Sequence, residues 1–216
     1  MTQIIPAPLA TTEEQYQEMI SQIAQCDLLQ DGWVQIDIAD NTFVPSQTVG
    51  IETIEKYPIS LQKEAHLMVN NPVVLLPDLK RLGFKRVLIH YEIENWEAAL
   101  KEAKEQGFEV GIALNPETAV STVEPFLDTM NVVQIMSVRP GFQGQTFIPE
   151  SIEKIKELSE LRSKTNSNFL IAVDGGLNPE NVKEVVDAGA DNLLIGSALL
   201  KGDIDENLEQ IWEALH

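Results

Sequence analysis

The 216-residue chain holds a single cysteine, Cys26. One thiol excludes an internal disulfide and any cysteine-rich zinc site, and its place in an apolar-periodic stretch reads as a buried structural thiol in a reducing compartment. Basic residues are also scarce: 15 Lys and Arg stand against 34 Asp and Glu, a formal charge of −19. A nonspecific grip on a polyanion works against that field, so no nucleic acid and no anionic membrane is expected as a partner. The pairs Lys80-Arg81 and Lys85-Arg86 lack the interleaved aromatics that stack bases. No apolar window reaches about 18 residues, and Met1-Thr2-Gln3-Ile4-Ile5-Pro6 lacks the basic patch and apolar run of a secretory leader. These absences predict a soluble, cytoplasmic protein. A small phosphorylated ligand survives them, because backbone amides hold phosphate without net positive charge.

What is present is a repeat. Short Val/Ile/Leu-rich runs centred near Ile4, Gln35, Glu64, Leu88, Gly111, Gln134, Ile171 and Leu193 alternate with stretches of helical spacing. The helical stretches cover 12–26, 49–56, 72–82, 95–106, 121–128, 149–165, 179–188 and 204–215. Asn71-Pro72 and Asn178-Pro179 read as capped helix starts, and Gly83, Gly107 and Gly189 as left-handed helix ends. Eight such units predict an α/β single-domain TIM (β/α)8 barrel over residues 1–216, since that fold typically takes about 250 residues and leaves no second domain. A doubly wound sheet wants a glycine fingerprint after its first strand, where this chain reads Pro6-Ala7-Pro8-Leu9-Ala10.

Chemistry in such a barrel sits at the C-terminal strand ends. Alternation along the second strand sends Val34, Ile36 and Ile38 to the helices and turns Gln35 and Asp37 into the barrel, where a carboxylate needs a cation, hydrogen bonds or a raised pKa. The third strand turns Glu64, His66 and Met68 one way. A lone inward histidine is more often a satisfied core residue than a ligand, and His66 gains weight from its convergence with Asp37. His90 ranks lower, and His216 has no claim. The seventh strand ends in Asp174-Gly175-Gly176 and the eighth in Gly196-Ser197, the two positions where barrels commonly hold phosphate. The segment Pro140–Thr146, with Gly141 and Gly144 around Phe142, reads either as a mobile cover over the mouth or as a plain surface loop.

Across nearly the whole chain these motifs resemble the ribulose-phosphate 3-epimerase family. The matching segments are Phe43-Val44-Pro45, His66-Leu67-Met68, Asn115-Pro116, Met136 through Gln145, Val173-Asp174-Gly175-Gly176 and Gly196-Ser197. The resemblance implies a sugar-phosphate 3-epimerase of the ribulose-5-phosphate/xylulose-5-phosphate type. In such an enzyme Asp37 and Asp174 are the catalytic bases on opposite faces of a ketose phosphate, working through an enediolate. It further implies that His66, Met68, Met136, Gly141, Gly144, Gln145, Gly175, Gly176, Gly196 and Ser197 meet the substrate or its phosphate, and that the protein is a homo-oligomer. A divalent ion (Zn, Mn, Fe or Mg) is implied on Asp37, His66 and Asp174. The fourth ligand departs from the pattern, because Gln35 stands where the family has histidine. That change implies either an oxygen-preferring ion with Gln35 as fourth ligand, or weakened or absent metal with the Gln35 amide donating to substrate. Ala7 and Ala39 replace the family's serine and methionine nearby. Two further readings follow from these departures: a noncatalytic sugar-phosphate-binding or regulatory barrel, and an epimerase or isomerase for another ketose phosphate. A Schiff-base aldolase is disfavoured, since parity turns Lys63 away from the His66 face.

Overall fold

The computed structural model describes residues 2–30 and 32–216. Its strands are β1 Gln3–Pro6, β2 Trp33–Ala39, β3 Gln62–Met68, β4 Arg86–His90, β5 Glu109–Leu114, β6 Val132–Met136, β7 Leu170–Asp174 and β8 Asn192–Ile195. All ladders are parallel in the order β1-β8-β7-β6-β5-β4-β3-β2, and the sheet curls until β1 lies beside β2. The fold is therefore the expected TIM barrel, and each expected strand centre falls inside a strand. Strands covered on both faces need apolar residues at most positions, which is why they are so legible in the sequence.

The helices are α1 Glu13–Gln25, α2 Ile51–Lys56, α3 Leu76–Arg81, α4 Trp96–Glu105, α5 Ser151–Thr165, α6 Val182–Asp187, α7 Ser197–Leu200 and α8 Ile204–Leu215. They are not quite the eight expected. The stretch at 121–128 forms two 3₁₀ turns, Val120–Thr122 and Glu124–Thr129, because Pro125 lacks the N–H that a continuous α-helix needs there. The stretch at 72–82 likewise begins as a 3₁₀ turn over Pro72–Leu75 and becomes α-helical beside Pro77, and the Asn71 side chain makes no cap hydrogen bond. Asn178 does accept from the Glu180 N–H at 2.8 Å, but this closes a turn, and α6 starts later with Asn181 at its N-cap. The short α7 was not anticipated. Gly83, Gly107 and Gly189 do end their helices at positive φ, at 78°, 79° and 116°.

Strand parity sets the two cores. Val34, Ile36 and Ile38 join the large apolar layer between strands and helices, while Ile5, Ala7, Leu88, Val132, Ala172 and Leu194 pack inside the ring with Trp33 against them. Gly111 faces the same interior, where a Cβ would come within 3.0 Å of the Val132 carbonyl and 3.2 Å of Leu88. The N-terminal end of the ring is plugged by charge. Buried Arg86 donates to Glu64 at 2.7 Å and to Glu109 at 2.8 Å, with its guanidinium 4.1 Å from the Trp33 ring centroid. Among the described residues, no helix is long and apolar enough to cross a membrane.

Breaking a buried pair by deleting one partner strands the other charge. Arg86→Ala, which leaves the 1%-exposed Glu64 carboxylate unpaired, is expected to cost about 3–5 kcal/mol in urea unfolding. Glu109→Ala removes a 46%-exposed partner and is expected to cost no more than about 1 kcal/mol. Equal losses in the two variants would contradict this account of the plug.

Candidate active site

Asp37 and His66 are register partners on β2 and β3, and Asp174 is the last residue of β7. The ring brings these three side chains to one point. His66 Nδ1 lies 3.0 Å from Asp37 Oδ1 and 3.4 Å from Asp174 Oδ2, and the donor atoms of the three lie within 4.8 Å of one another. Two glutamines underlie them. Gln35 Nε2 donates to Asp174 at 3.1 Å and to Asp37 at 3.4 Å, and Gln134 Nε2 donates to Asp174 at 3.1 Å. Both amide oxygens, Gln35 Oε1 and Gln134 Oε1, are buried without a hydrogen-bond partner.

The electrostatics follow from this crowding. Burial, reinforced by the neighbouring Asp37 charge, pushes the Asp174 carboxyl up to about 7. Burial works against a charged His66, but the Asp37 hydrogen bond and the surrounding carboxylates outweigh it and raise the His66 pKa. His66 also connects outward. Its Nε2 lies 2.8 Å from His90 Nε2, and His90 Nδ1 lies 3.2 Å from Glu92 Oε2. Burial holds His90 down to about 4.

A cavity opens above the cluster. Asp37, His66, Met68, Met136, Gly141, Gly144, Gln145, Asp174, Gly175, Gly176, Gly196 and Ser197 all line it, together with Ala7. Gln35 is the exception among the expected residues, since it is fully buried beneath the cavity wall. The glycines at the strand ends serve loop packing as well as access. A Cβ on Gly175 (φ 122°) would come within 2.4 Å of Val138, and one on Gly176 (φ 67°) within 2.4 Å of the Phe147 nitrogen. The Pro140–Thr146 segment borders the mouth. Gln143 Nε2 is 3.5 Å from the Ala7 carbonyl, and Gln145 Nε2 turns back to the Arg139 and Phe142 carbonyls at 2.6 and 2.8 Å. Among the described residues no lysine lines the cavity, and Lys63 lies over the Phe84 ring.

Three residues of the cluster were undervalued by the sequence reading: His90, Glu92 and Gln134. Parity on β4 and β6 carried the signal for two of them, turning His90 inward with Arg86 and Leu88, and Gln134 inward with Val132 and Met136. Glu92 follows β4 and left no such pattern.

A buried acid pair with an imidazole at the C-terminal mouth of a (β/α)8 barrel, beside glycine loops at the last two strand ends, defines an enzyme barrel. The chain belongs to the ribulose-phosphate 3-epimerase family, whose model matches residues 3–200. Ribulose-phosphate 3-epimerase of Aquifex aeolicus is 39% identical over 76% of this chain and 75% of its own. The chloroplastic ribulose-5-phosphate-3-epimerase of Arabidopsis thaliana is 35% identical over 91% and 69%, and the Escherichia coli K12 enzyme 32% over 85% of each chain. Among solved structures, 3-hexulose-6-phosphate synthase from Salmonella typhimurium superposes with a TM-score of 0.70 at 16% identity, covering 99% of this chain and 98% of that one. At that identity the likeness shows the fold alone.

Asp37, His66 and Asp174 can hold a divalent ion: two carboxylates and one imidazole converge, and the orphaned Gln35 oxygen sits beside them. With its nitrogen toward the carboxylates, Gln35 offsets their repulsion. The opposite rotamer presents a third oxygen, which is favourable when a cation lies between.

The raised Asp174 pKa has a consequence for stability in chelator. The folded state holds the Asp174 proton more tightly than the unfolded chain does, so this group's contribution is full below the ordinary aspartate range and is lost as pH rises through about 7. Asp174→Asn is therefore expected to be more stable than the parent at pH 8, by on the order of a few kcal/mol, with the gap closing near pH 4. Thermal melts across that range check this, and a gap independent of pH would contradict it.

Proposed function

We propose that this protein is a pentose-phosphate 3-epimerase that interconverts ribulose 5-phosphate and xylulose 5-phosphate by two-base proton transfer. The observation that carries this reading is the convergence of Asp37 and Asp174 from separate strands on one space, with Asp174 poised near neutral pH. Inversion at carbon needs a proton removed from one face and returned to the other. Asp37 and Asp174 are suited to that because β1 and β8 stand between their strands on the shorter arc of the ring.

In this reading one carboxylate takes the C3 proton of the ketose phosphate. The other, in its acid form, delivers a proton to the opposite face. Gln35, Gln134 and His66 hold both carboxylates in place from beneath and from the side. Asp37, His66 and Asp174, with the Gln35 oxygen as fourth donor, would hold a divalent ion, whose chemistry would be to stabilise developing negative charge as a Lewis acid. This oxygen-rich donor set favours Mn²⁺ or Mg²⁺ more than a site with two imidazoles does. Gly175, Gly176, Gly196 and Ser197 form the phosphate side, where bare backbone can approach the ligand. Met68 and Met136 wall the cavity where the ketose would sit, and the Pro140–Thr146 segment borders its mouth.

A second reading, a sugar-phosphate-binding barrel without turnover, draws on the Gln35 contacts, which tie down both carboxylates without an ion. Deuterium incorporation at C3 of ribulose 5-phosphate, followed by NMR in D₂O, separates the two. The epimerase reading expects exchange that falls by about 10²-fold or more in Asp174→Asn and Asp37→Asn. Folded protein that binds the sugar phosphate without exchange under any metal condition would sink it in favour of the binding barrel.

Restoring the family's histidine tests the ligand set. Gln35→His is expected to tighten Zn²⁺ binding about tenfold or more in calorimetry and to move the activity optimum from Mn²⁺ or Mg²⁺ toward Zn²⁺. An unchanged metal profile would remove Gln35 from the ligand set.

A further inference from the structure

We propose that Lys201 is a positioning residue for the substrate: its ammonium guides the phosphate of the ketose to the β8 side of the mouth and so fixes which end of the molecule approaches Asp37 and Asp174. The role rests on the phosphate side proposed above, and it deepens that reading with a residue that does not itself line the cavity. The starting point is a shortage of positive charge. A phosphate dianion approaches a chain of net charge −19, with two carboxyl groups on the floor of the cavity and neither lysine nor arginine among the described residues that line it. Glycine N–H groups and the Ser197 hydroxyl can grip a phosphate that has arrived, but they are dipoles, and their pull falls off faster with distance than that of a full charge.

Most basic side chains are already committed elsewhere. Among the described residues, Lys85 and Lys201 are the two whose side chains have neither an ion pair nor a hydrogen bond. Lys85 immediately precedes β4, at the N-terminal end of the ring, and Lys201 immediately follows α7, at the C-terminal end. Two bases that follow β6 are spent: Arg139 is paired with Glu117 at 2.8 Å, and Lys154 donates to the Asn115 carbonyl at 2.7 Å. Lys201 is therefore the uncommitted cation of the end that holds the cavity.

Its backbone is pinned beside the phosphate side. The Lys201 N–H donates to the Ser197 carbonyl at 3.2 Å, and the Lys201 carbonyl accepts from Asn207 Nδ2 at 2.9 Å. From there the stem crosses to the loop after β6, where Nζ lies 4.0 Å from the place a Cβ would take on Gly144, a residue of the cavity wall. Gly144 carries no side chain to cover the ammonium from that direction. Asp203, the nearest acid along the chain, turns its carboxylate to the Asp205 and Glu206 N–H groups at 3.0 and 3.1 Å, where it caps α8. A lysine ammonium is a compact point charge on a flexible stem, so it acts on an anion from the rim and follows it into the mouth.

Charge reversal tests this, with the same reversal at the other end of the ring as its control. The measurements are kcat and KM for C3 deuterium exchange of ribulose 5-phosphate, and ³¹P NMR titration with inorganic phosphate, at ionic strengths of about 0.01 M and about 1 M, where the Debye length is about 30 Å and about 3 Å. Lys201→Glu is expected to raise KM about tenfold at the low ionic strength with kcat within about twofold, and Lys201→Ala to raise it about threefold; both differences are expected to shrink below about twofold at the high one. Lys85→Glu changes the net charge equally and is expected to leave KM within about twofold of the parent. Equal effects of the two reversals would assign the loss to whole-molecule charge and overturn the proposal, as would a Lys201→Glu defect that persists at about 1 M. Exchange with an unaltered KM in Lys201→Glu would overturn it and leave the epimerase reading standing. A protein without C3 exchange whose affinity for inorganic phosphate falls in the Lys201 variants and not in Lys85→Glu would uphold Lys201 as the anion guide and overturn the epimerase reading.

Discussion

Two carboxylates that share a buried space repel each other, and each surrenders hydration to be there. Asp37 and Asp174 are so placed, and most polar features of the barrel's upper half answer to them. Gln35 and Gln134 aim their amide N–H groups at the pair, and His66 stands between them. The residual strain appears as an Asp174 carboxyl pushed up to about 7. A chain selected for stability alone has an inexpensive alternative in apolar side chains at these inward positions. That such an arrangement sits at the mouth of a glycine-lined cavity ties it to ligand chemistry rather than to folding.

The two ends of the ring handle buried charge in opposite ways. At the N-terminal end, Glu64, Arg86 and Glu109 pair acid with base, and the Trp33 ring lies under the guanidinium. At the C-terminal end, the acids are held by two neutral amides and by His66, and two amide oxygens go unpartnered. Between the two ends lies the apolar packing around Leu88 and Val132, across which the Glu64 charge still adds to the upward push on Asp174. Rigidity below and incomplete satisfaction above is the physical division that lets one barrel be both stable and reactive.

Strand positions were legible because a parallel strand covered on both faces must be apolar nearly throughout, and Asp37, Gln35 and His66 stood out as exceptions with the right parity. Helices were legible where periodicity ran unbroken, as in α1, α5 and α8, and were misread where Pro72, Pro77 and Pro125 diverted the backbone into 3₁₀ turns. Within the site, each strand announced its own inward residues. What no single strand announces is the stagger between neighbours. His66 pairs in register with Leu88, so His90 sits two residues further along its strand, yet the two imidazoles meet head to head. That meeting is a property of ring closure and shear, and a histidine considered on its own strand carries no trace of it.

Gln35 shows how one substitution is absorbed by the surrounding chemistry. An imidazole at this position must be protonated to donate to two carboxylates from one edge, and it then adds a charge to the cluster. An amide donates from its nitrogen while neutral, reaching Asp174 at 3.1 Å and Asp37 at 3.4 Å, and its oxygen remains unspent. The glutamine thus reduces the repulsion between the acids, and its unpartnered oxygen is the donor that the proposed ion site uses. The histidine it replaces gives stronger nitrogen ligation but less relief to the uncharged site. In the ligand set proposed above, that exchange of donor types lowers the demand on metal for the integrity of the cluster and favours harder ions.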